Sequence, residues 1–203
     1  MGDMSGMDMS MPVLPEWVRI SWVVALAIAL LTHLGHVYRM SGQHRWWLIG
    51  HVLMAAAMIP MYMPELVGEA DLSGLALQLF ISAALVVAAV SIALRFRENV
   101  TNPLWVMLAV DLAIMAYMWL PTMNRPPALD GLLAIYFGAQ VLAWLFGIWD
   151  RVPVLDRSMP GGRHRPTPAP TVAVVQLTTH TGLVGRATLA IMAASMGYML
   201  ITM

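Results

Sequence analysis

The sequence predicts an all-α integral membrane protein, a bundle of six transmembrane helices. Of its 203 residues, 60% are apolar and 11% are charged, whereas about a quarter of the residues in a typical globular domain are charged. Apolar segments long enough to cross a hydrocarbon core of roughly 30 Å recur along the chain. Most of the charged residues lie between those segments, which excludes a soluble domain.

Six segments of roughly 20 residues are predicted to span the membrane. They lie near Trp17–Tyr38, Trp46–Met63, Leu72–Leu94, Pro103–Leu120, Leu129–Trp149, and from Thr181 to the C-terminus. Pro103 suits a first helical turn, and Pro64 and Pro121 lie where helices are expected to end. We therefore expect a tail over residues 1–16, five helices within 17–149, a Pro/Arg-rich linker over 150–170, and a sixth helix within 171–203.

The arginines predict the orientation of the chain. Most of them lie in the connections after helices one, three and five: Arg39, Arg45, Arg95, Arg97, Arg151, Arg157, Arg163 and Arg165. The opposite side has Arg19 and Arg125. Because basic residues collect on the cytoplasmic side, we expect a cytoplasmic linker and two extracytoplasmic termini. The predicted location is a bacterial plasma membrane, which the chain crosses several times.

The composition also excludes several functional classes. All 11 basic residues are arginine and 11 acidic residues balance them, so no basic tract is present to bind nucleic acid. The chain has no cysteine, which excludes disulfides and thiolate metal sites. No HExxH motif, Ser/His/Asp grouping or carboxylate pair within one segment supports hydrolysis. We therefore expect a protein without enzymatic activity. Redox catalysis at a Met/His copper site is the alternative.

Methionine is unusually frequent, with 19 residues, and it follows a pattern. Helices one, three and five hold none within their predicted spans. On helix two, His51, Met54, Met58 and Met61 fall on one helical face. The equivalent faces of helices four and six carry Met107, Asp111, Met115 and Met118, and Met192, Met196, Met199 and Met203. Because these three helices run in the same direction, the sequence predicts three sulfur-lined faces in one bundle.

A thioether is a neutral, soft and polarizable ligand. It favours Cu(I) or Ag(I) over zinc and binds without releasing a proton. Methionine also fills irregular gaps between packed helices, and that alternative explains any single stripe. The restriction of the stripes to three parallel helices favours a metal function.

The N-terminal tail gives a second indication of metal binding. Residues 1–11, MGDMSGMDMSM, interleave methionine with glycine, serine and aspartate. A polar segment of this composition cannot bury its thioethers in a core of its own. We therefore predict that Met4, Met7, Met9 and Met11 capture Cu(I).

Two stretches resemble a known family of copper transporters. The tail resembles the extracellular Met-rich tails of Ctr-type copper transporters, and Met54-Ala-Ala-Ala-Met58 resembles the MxxxM motif of their second membrane helix. That family has three spans and forms trimers, whereas this chain has six predicted spans and no GxxxG near its end. Over its full length, with His51-Val-Leu-Met54-Ala-Ala-Ala-Met58 on helix two, the chain resembles an uncharacterised actinobacterial six-span membrane family of unknown function. That second resemblance implies no activity.

Histidines could add imidazole ligands to the methionine faces. His33 and His51 each lie about 7 Å from the predicted inner ends of their helices, at a rise of 1.5 Å per residue, so they can share one depth. His33 and His36, three residues apart, could also ligate one ion. Imidazole suits copper, zinc and haem iron alike. Hydrogen bonding at the membrane interface is an equal alternative for His36 and His180.

Asp111 lies near the middle of helix four, where an ionisable group is expensive and is by default functional or paired. Its place on the methionine face suggests that its carboxylate stabilises a passing cation. An ion pair with Arg186 is the alternative.

We therefore predict a membrane protein that captures Cu(I) with its outer tail and passes or holds it between helices two, four and six. The predicted ligands in the bundle are His33, His51, Met54, Met58, Met61, Asp111, Met115, Met118, Met192 and Met196. The first alternative is an accessory subunit whose Met-rich faces contact partner subunits of a larger membrane complex. The second is a b-type haem protein with two histidine ligands among His33, His36, His51 and His180.

Overall fold

The computed structural model describes residues 15–66, 73–98, 100–149, 155–156 and 182–202. Their regular structure is almost entirely helical, which confirms the all-α class. The helices are α1 (Glu16–Arg39), α2 (Gln43–Tyr62), α3 (Ser73–Glu98), α4 (Pro103–Met118), α5 (Pro127–Leu145) and α6 (Leu183–Thr202). Short 3-10 helices, Pro64–Leu66 and Thr122–Asn124, follow α2 and α4.

Within the described ranges, four helices are long and apolar enough to cross a membrane: α1, Ser73–Phe96 of α3, α5 and α6. The fifth apolar helix, α4, has 16 residues. The remaining helix, α2, has 20 residues and includes His44, Arg45 and His51. The chain is thus a membrane-type helical protein, and the count of six spans stays a prediction.

Helix ends follow local chemistry. The side chain of Asn102 accepts a hydrogen bond from the Leu104 backbone at 3.0 Å, and Pro103 occupies the first turn of α4. Asparagine is favoured at the N-cap of a helix and proline in its first turn. Helix α5 ends at Leu145 rather than at the predicted Trp149. The chain turns there at Gly147, whose φ of 62° suits glycine.

The helices pack in three pairs, α1 with α2, α3 with α4 and α5 with α6. Contacts of α1 with α6 and of α2 with α4 join the pairs. The indole of Trp105 at the start of α4 donates to Gln43 at the start of α2, so these two helices begin at the same end. We call it the arginine-rich end, because Arg39, Arg45 and Arg95 lie there.

Part of the predicted linker is attached to this end of the bundle. Strand β1 (Val100–Thr101), between α3 and α4, pairs antiparallel with β2 (Leu155–Asp156). The register places Val100 opposite Asp156 and Thr101 opposite Leu155. The sequence analysis did not predict this attachment. The other residues of the linker and residues 171–181, before the sixth helix, lie outside the described residues.

The outer surface of the bundle is apolar, unlike that of a water-soluble protein. Large apolar side chains on α1, α3 and α5 are exposed, among them Leu31, Leu85 and Ile135. Polar side chains are instead buried: His33, His51, Asp111, Arg125, Gln140, Thr188 and Ser195. An apolar exterior around polar groups is what a lipid environment requires.

One ion pair lies at the opposite end of the bundle, where Arg19 donates to Glu65 at 2.6 Å. A hydrogen bond within Glu65 itself, and then the one from Arg19, hold the pKa of the Glu65 carboxyl below its usual value. Because Glu65 is exposed, the pair adds little to stability.

Candidate functional site

The three methionine faces turn into the bundle rather than toward lipid. Met54 and Met58 on α2, Met115 on α4 and Met199 on α6 all have 0% of their surface exposed. Met107, Met118, Met192 and Met196 are also buried. Met61 is half-buried, and Met203 lies outside the described residues. The helical periodicity therefore identified the inward-facing side of each helix.

Five predicted ligands line one small cavity between the helices, which we call the central cavity. They are His51 and Met54 from α2, Asp111 from α4, and Met192 and Met196 from α6. Its volume is about 10 Å³, close to the space that holds one water molecule. This size suits a single ion.

The carboxylate of Asp111 is held by neutral donors from α5. The Tyr136 hydroxyl and the Gln140 amide each donate to Asp111 Oδ1 at 3.0 Å. Gln140 Nε2 also lies 2.6 Å from the Tyr136 hydroxyl. The predicted alternative, an ion pair with Arg186, is not what holds this carboxylate. Asp111 is therefore positioned by the protein without a cationic partner in the described part of the chain.

The imidazole of His51 is oriented by its own helix. Its Nδ1 lies 3.0 Å from the Trp47 carbonyl oxygen, which can only accept, so Nδ1 donates. A neutral ring that donates through Nδ1 keeps the Nε2 lone pair as a metal ligand. The Trp47 ring packs on the imidazole with centroids 4.1 Å apart. This arrangement fixes the tautomer in the form that can bind a metal.

His33 of α1 lies beside His51, as their shared depth predicts. The two ring centroids are 5.9 Å apart. His33 is 2% exposed, and its Nε2 is buried with no hydrogen-bond partner. His36, the other predicted histidine of α1, has its Nδ1 2.7 Å from the Thr32 carbonyl oxygen. His180 lies outside the described residues.

Several predicted ligands do not reach the central cavity. Met58, Met115 and Met118 are buried but are absent from its lining, because they lie one or more turns further toward the opposite end. Met4, Met7, Met9 and Met11 lie outside the described residues. Among the residues that the structure describes, no three His, Asp or Glu side chains come together as a metal-binding group. Any ion in the central cavity would therefore depend on thioethers, with His51 and Asp111 beside them.

The sequence analysis missed Tyr136 and Gln140, the partners of Asp111. They lie four residues apart on α5, so they share one helical face. Polar side chains within an apolar span are a signal of function or pairing, and this signal was available in the sequence. Because α5 has no methionine, the methionine pattern gave no indication of this polar face.

A family model described as a domain of unknown function, DUF5134, matches residues 43–203. The chain belongs to the DUF5134 family. The match begins at the first residue of α2 and includes every residue that lines the central cavity. No curated protein and no solved structure matches the chain. Membership agrees with the expected uncharacterised family, and nothing in the comparisons supports the resemblance to Ctr-type copper transporters.

Proposed function

We propose that the protein binds Cu(I) within the membrane, at the central cavity. The observation that carries the proposal is the convergence of three thioethers, one imidazole and one carboxylate on a space of about 10 Å³. Three different helices supply these groups, so the folded bundle assembles them.

The donor set favours a soft monovalent ion over a hard divalent one. Met54, Met192 and Met196 offer neutral sulfur, which selects Cu(I), and the chain has no thiolate to compete for it. The donors that hold Asp111 are neutral, so they leave its negative charge uncompensated. A cation with a single positive charge would balance it. An uncompensated charge inside the membrane is expensive, and a monovalent cation removes it.

The proposal extends to the whole chain. The tail methionines Met4, Met7, Met9 and Met11 capture the ion on the extracytoplasmic side of a bacterial plasma membrane. All six helices span that membrane, and both termini lie outside. Met58, Met61, Met115 and Met118 continue the sulfur faces from the central cavity toward that side.

The test is a competitive titration of the full-length protein in detergent, under anaerobic conditions, with Cu(I) and a chromogenic Cu(I) chelator. We expect the protein to bind one Cu(I) in the bundle, and this ion should still bind when the four tail methionines are changed to serine. A Met192→Leu, Met196→Leu double variant keeps side-chain volume nearly constant. It should lose at least about tenfold in affinity, which is about 1.4 kcal/mol.

Met199→Leu is the matched control, because Met199 is equally buried on the same helix but does not line the central cavity. It should bind Cu(I) like the wild type. The proposal fails if the wild type retains no copper. It also fails if the double variant binds as tightly as Met199→Leu, because the methionines would then serve packing alone.

A further inference from the structure

A second, larger cavity lies at the arginine-rich end, where α1 ends and where α2 and α6 begin. We call it the arginine-end cavity. Its volume is about 260 Å³, enough for several water molecules. Its walls include His33, His36, Met40, Trp47, Gly182 and Leu189. Ligating side chains thus line the space through which water can approach the bundle interior.

His33 connects this cavity to the central one. It lines the arginine-end cavity, and its ring lies 5.9 Å from that of His51, which lines the central cavity. Leu189 is part of both walls. A buried ring nitrogen without a hydrogen bond is costly, and His33 Nε2 is such an atom. A ligand bound at this atom would remove that cost.

The distance between the two rings also fits a shared ion. Two imidazoles that ligate one ion from opposite sides have ring centroids roughly 6 Å apart, because each metal–nitrogen bond is about 2 Å long. His33 and His51 are separated by that distance. An ion bound by one ring would therefore lie close to the other ring.

At the opposite end of the bundle, side-chain contacts hold α1, α2 and α6 together. The Tyr62 hydroxyl donates to the Ser195 carbonyl oxygen at 3.0 Å and accepts from the Ser195 hydroxyl at 3.2 Å. Trp22 of α1 packs on Tyr62 and on Tyr198, with centroids 6.1 and 5.6 Å apart. These contacts close the gap between α1, α2 and α6 at that end, whereas the arginine-rich end of the same helices encloses a cavity.

We infer that the ion leaves the central cavity through the arginine-end cavity, and that His33 is the ligand to which the ion passes from His51. This inference rests on the proposed Cu(I) function and adds its route. The exchanging species is a soft monovalent cation, and His33 forms a second binding position for it. With the arginine-rich end facing the cytoplasm, the route leads to the cytoplasm.

The test measures how fast Cu(I) leaves the loaded full-length protein for excess chelator, in detergent, where both ends are accessible. Gly182 lines the cavity and a β-carbon there would meet no atom within 4 Å, so Gly182→Trp is the variant chosen to fill the cavity. We expect normal loading and release slowed by about tenfold, equivalent to roughly 1.4 kcal/mol in the barrier. His33→Phe keeps a ring without the nitrogens and should also slow release.

Gly74→Trp is the matched control, because Gly74 has equally open surroundings and lies on α3, away from this cavity. Its release should be that of the wild type. Should Gly182→Trp not fold, Val184→Trp replaces it, because Val184 is exposed and lines the same cavity.

The outcomes separate the two proposals. A wild type without bound copper overturns both. Normal loading with unchanged release from both the cavity-filling variant and His33→Phe overturns the route alone. Release that becomes faster in Trp22→Ala, with no effect of filling the cavity, would place the route at the opposite end.

Discussion

Asp111 is a buried carboxyl group that two polar side chains of α5 contact. Tyr136 and Gln140 aim their donors at one of its oxygens, and His51, Met54 and Met192 line the same cavity. A carboxyl group inside a membrane protein is energetically acceptable only when a cation compensates its negative charge or when it is protonated and neutral. The neutral donors position this carboxylate without supplying a positive charge.

Asp111→Asn tests this role. The amide has nearly the same shape and keeps an oxygen that accepts from Tyr136 and Gln140, so folding should be unaffected. The charge is lost, and we expect Cu(I) affinity to fall by about tenfold, or about 1.4 kcal/mol. The measurements are the chelator titration and the yield of folded protein.

Asp130→Asn is the control for that change, because Asp130 accepts a hydrogen bond from Tyr117 at 2.9 Å and does not line the central cavity. It should leave Cu(I) affinity unchanged. If Asp111→Asn instead lowers the yield and binds copper normally, Asp111 has a structural role.

At the scale of elements, the position of α6 depends on its close approach to α5. A β-carbon at Gly197 would lie 3.3 Å from Phe137 Cβ and 3.7 Å from the Ala134 carbonyl oxygen. Small residues at such points let membrane helices pack closely. The neighbouring Met196 reaches the central cavity, so this contact also positions a candidate ligand.

Gly197→Leu should therefore lower both stability and copper loading. Overpacking typically costs about 1–3 kcal/mol, and separation of α5 from α6 would withdraw Met192 and Met196. Thermal unfolding in detergent and copper content measure the two effects. Gly138→Leu on α5, where a β-carbon would meet no atom within 4 Å, should change neither. Equal stability of the two variants would contradict this packing.

The hydrophobic pattern of the sequence was enough to predict where the helices lie and which of their faces are buried. Spans of apolar residues located all six helices, and helical spacing identified the buried faces of Met54, Met115 and Met192. The cavities were not predictable, because they depend on how α1, α2 and α6 pack against one another. The pairing of Leu155–Asp156 with Val100–Thr101 escaped for the same reason, since two residues carry no strand periodicity.

At the scale of the whole molecule, the distribution of polarity decides the orientation in the membrane. The exposed belt is apolar, and Arg39, Arg45 and Arg95 lie at one end. The positive-inside rule predicts that this end faces the cytoplasm. In the proposed orientation, the arginine-end cavity opens to the cytoplasm and the contacts among Trp22, Tyr62 and Tyr198 face outward.

Single cysteines test this orientation, because the chain has none of its own. Ser41 and Asn124 are exposed, in the connection between α1 and α2 and in the 3-10 helix after α4. In spheroplasts, a membrane-impermeant maleimide should label Asn124→Cys at once and Ser41→Cys only after permeabilisation. The reverse pattern would invert the orientation, and labelling of both from outside would contradict a spanning bundle.

X-ray absorption at the copper edge tests the central claim most directly. The sample is the full-length, Cu(I)-loaded protein in which the four tail methionines are changed to serine. This change removes those methionines as a source of sulfur ligands. We predict a first coordination shell with sulfur beside nitrogen or oxygen. The sulfur signal should disappear when Met54, Met192 and Met196 are all changed to leucine. A shell of nitrogen and oxygen alone, or a sulfur signal that survives those three changes, would contradict a thioether site in the central cavity.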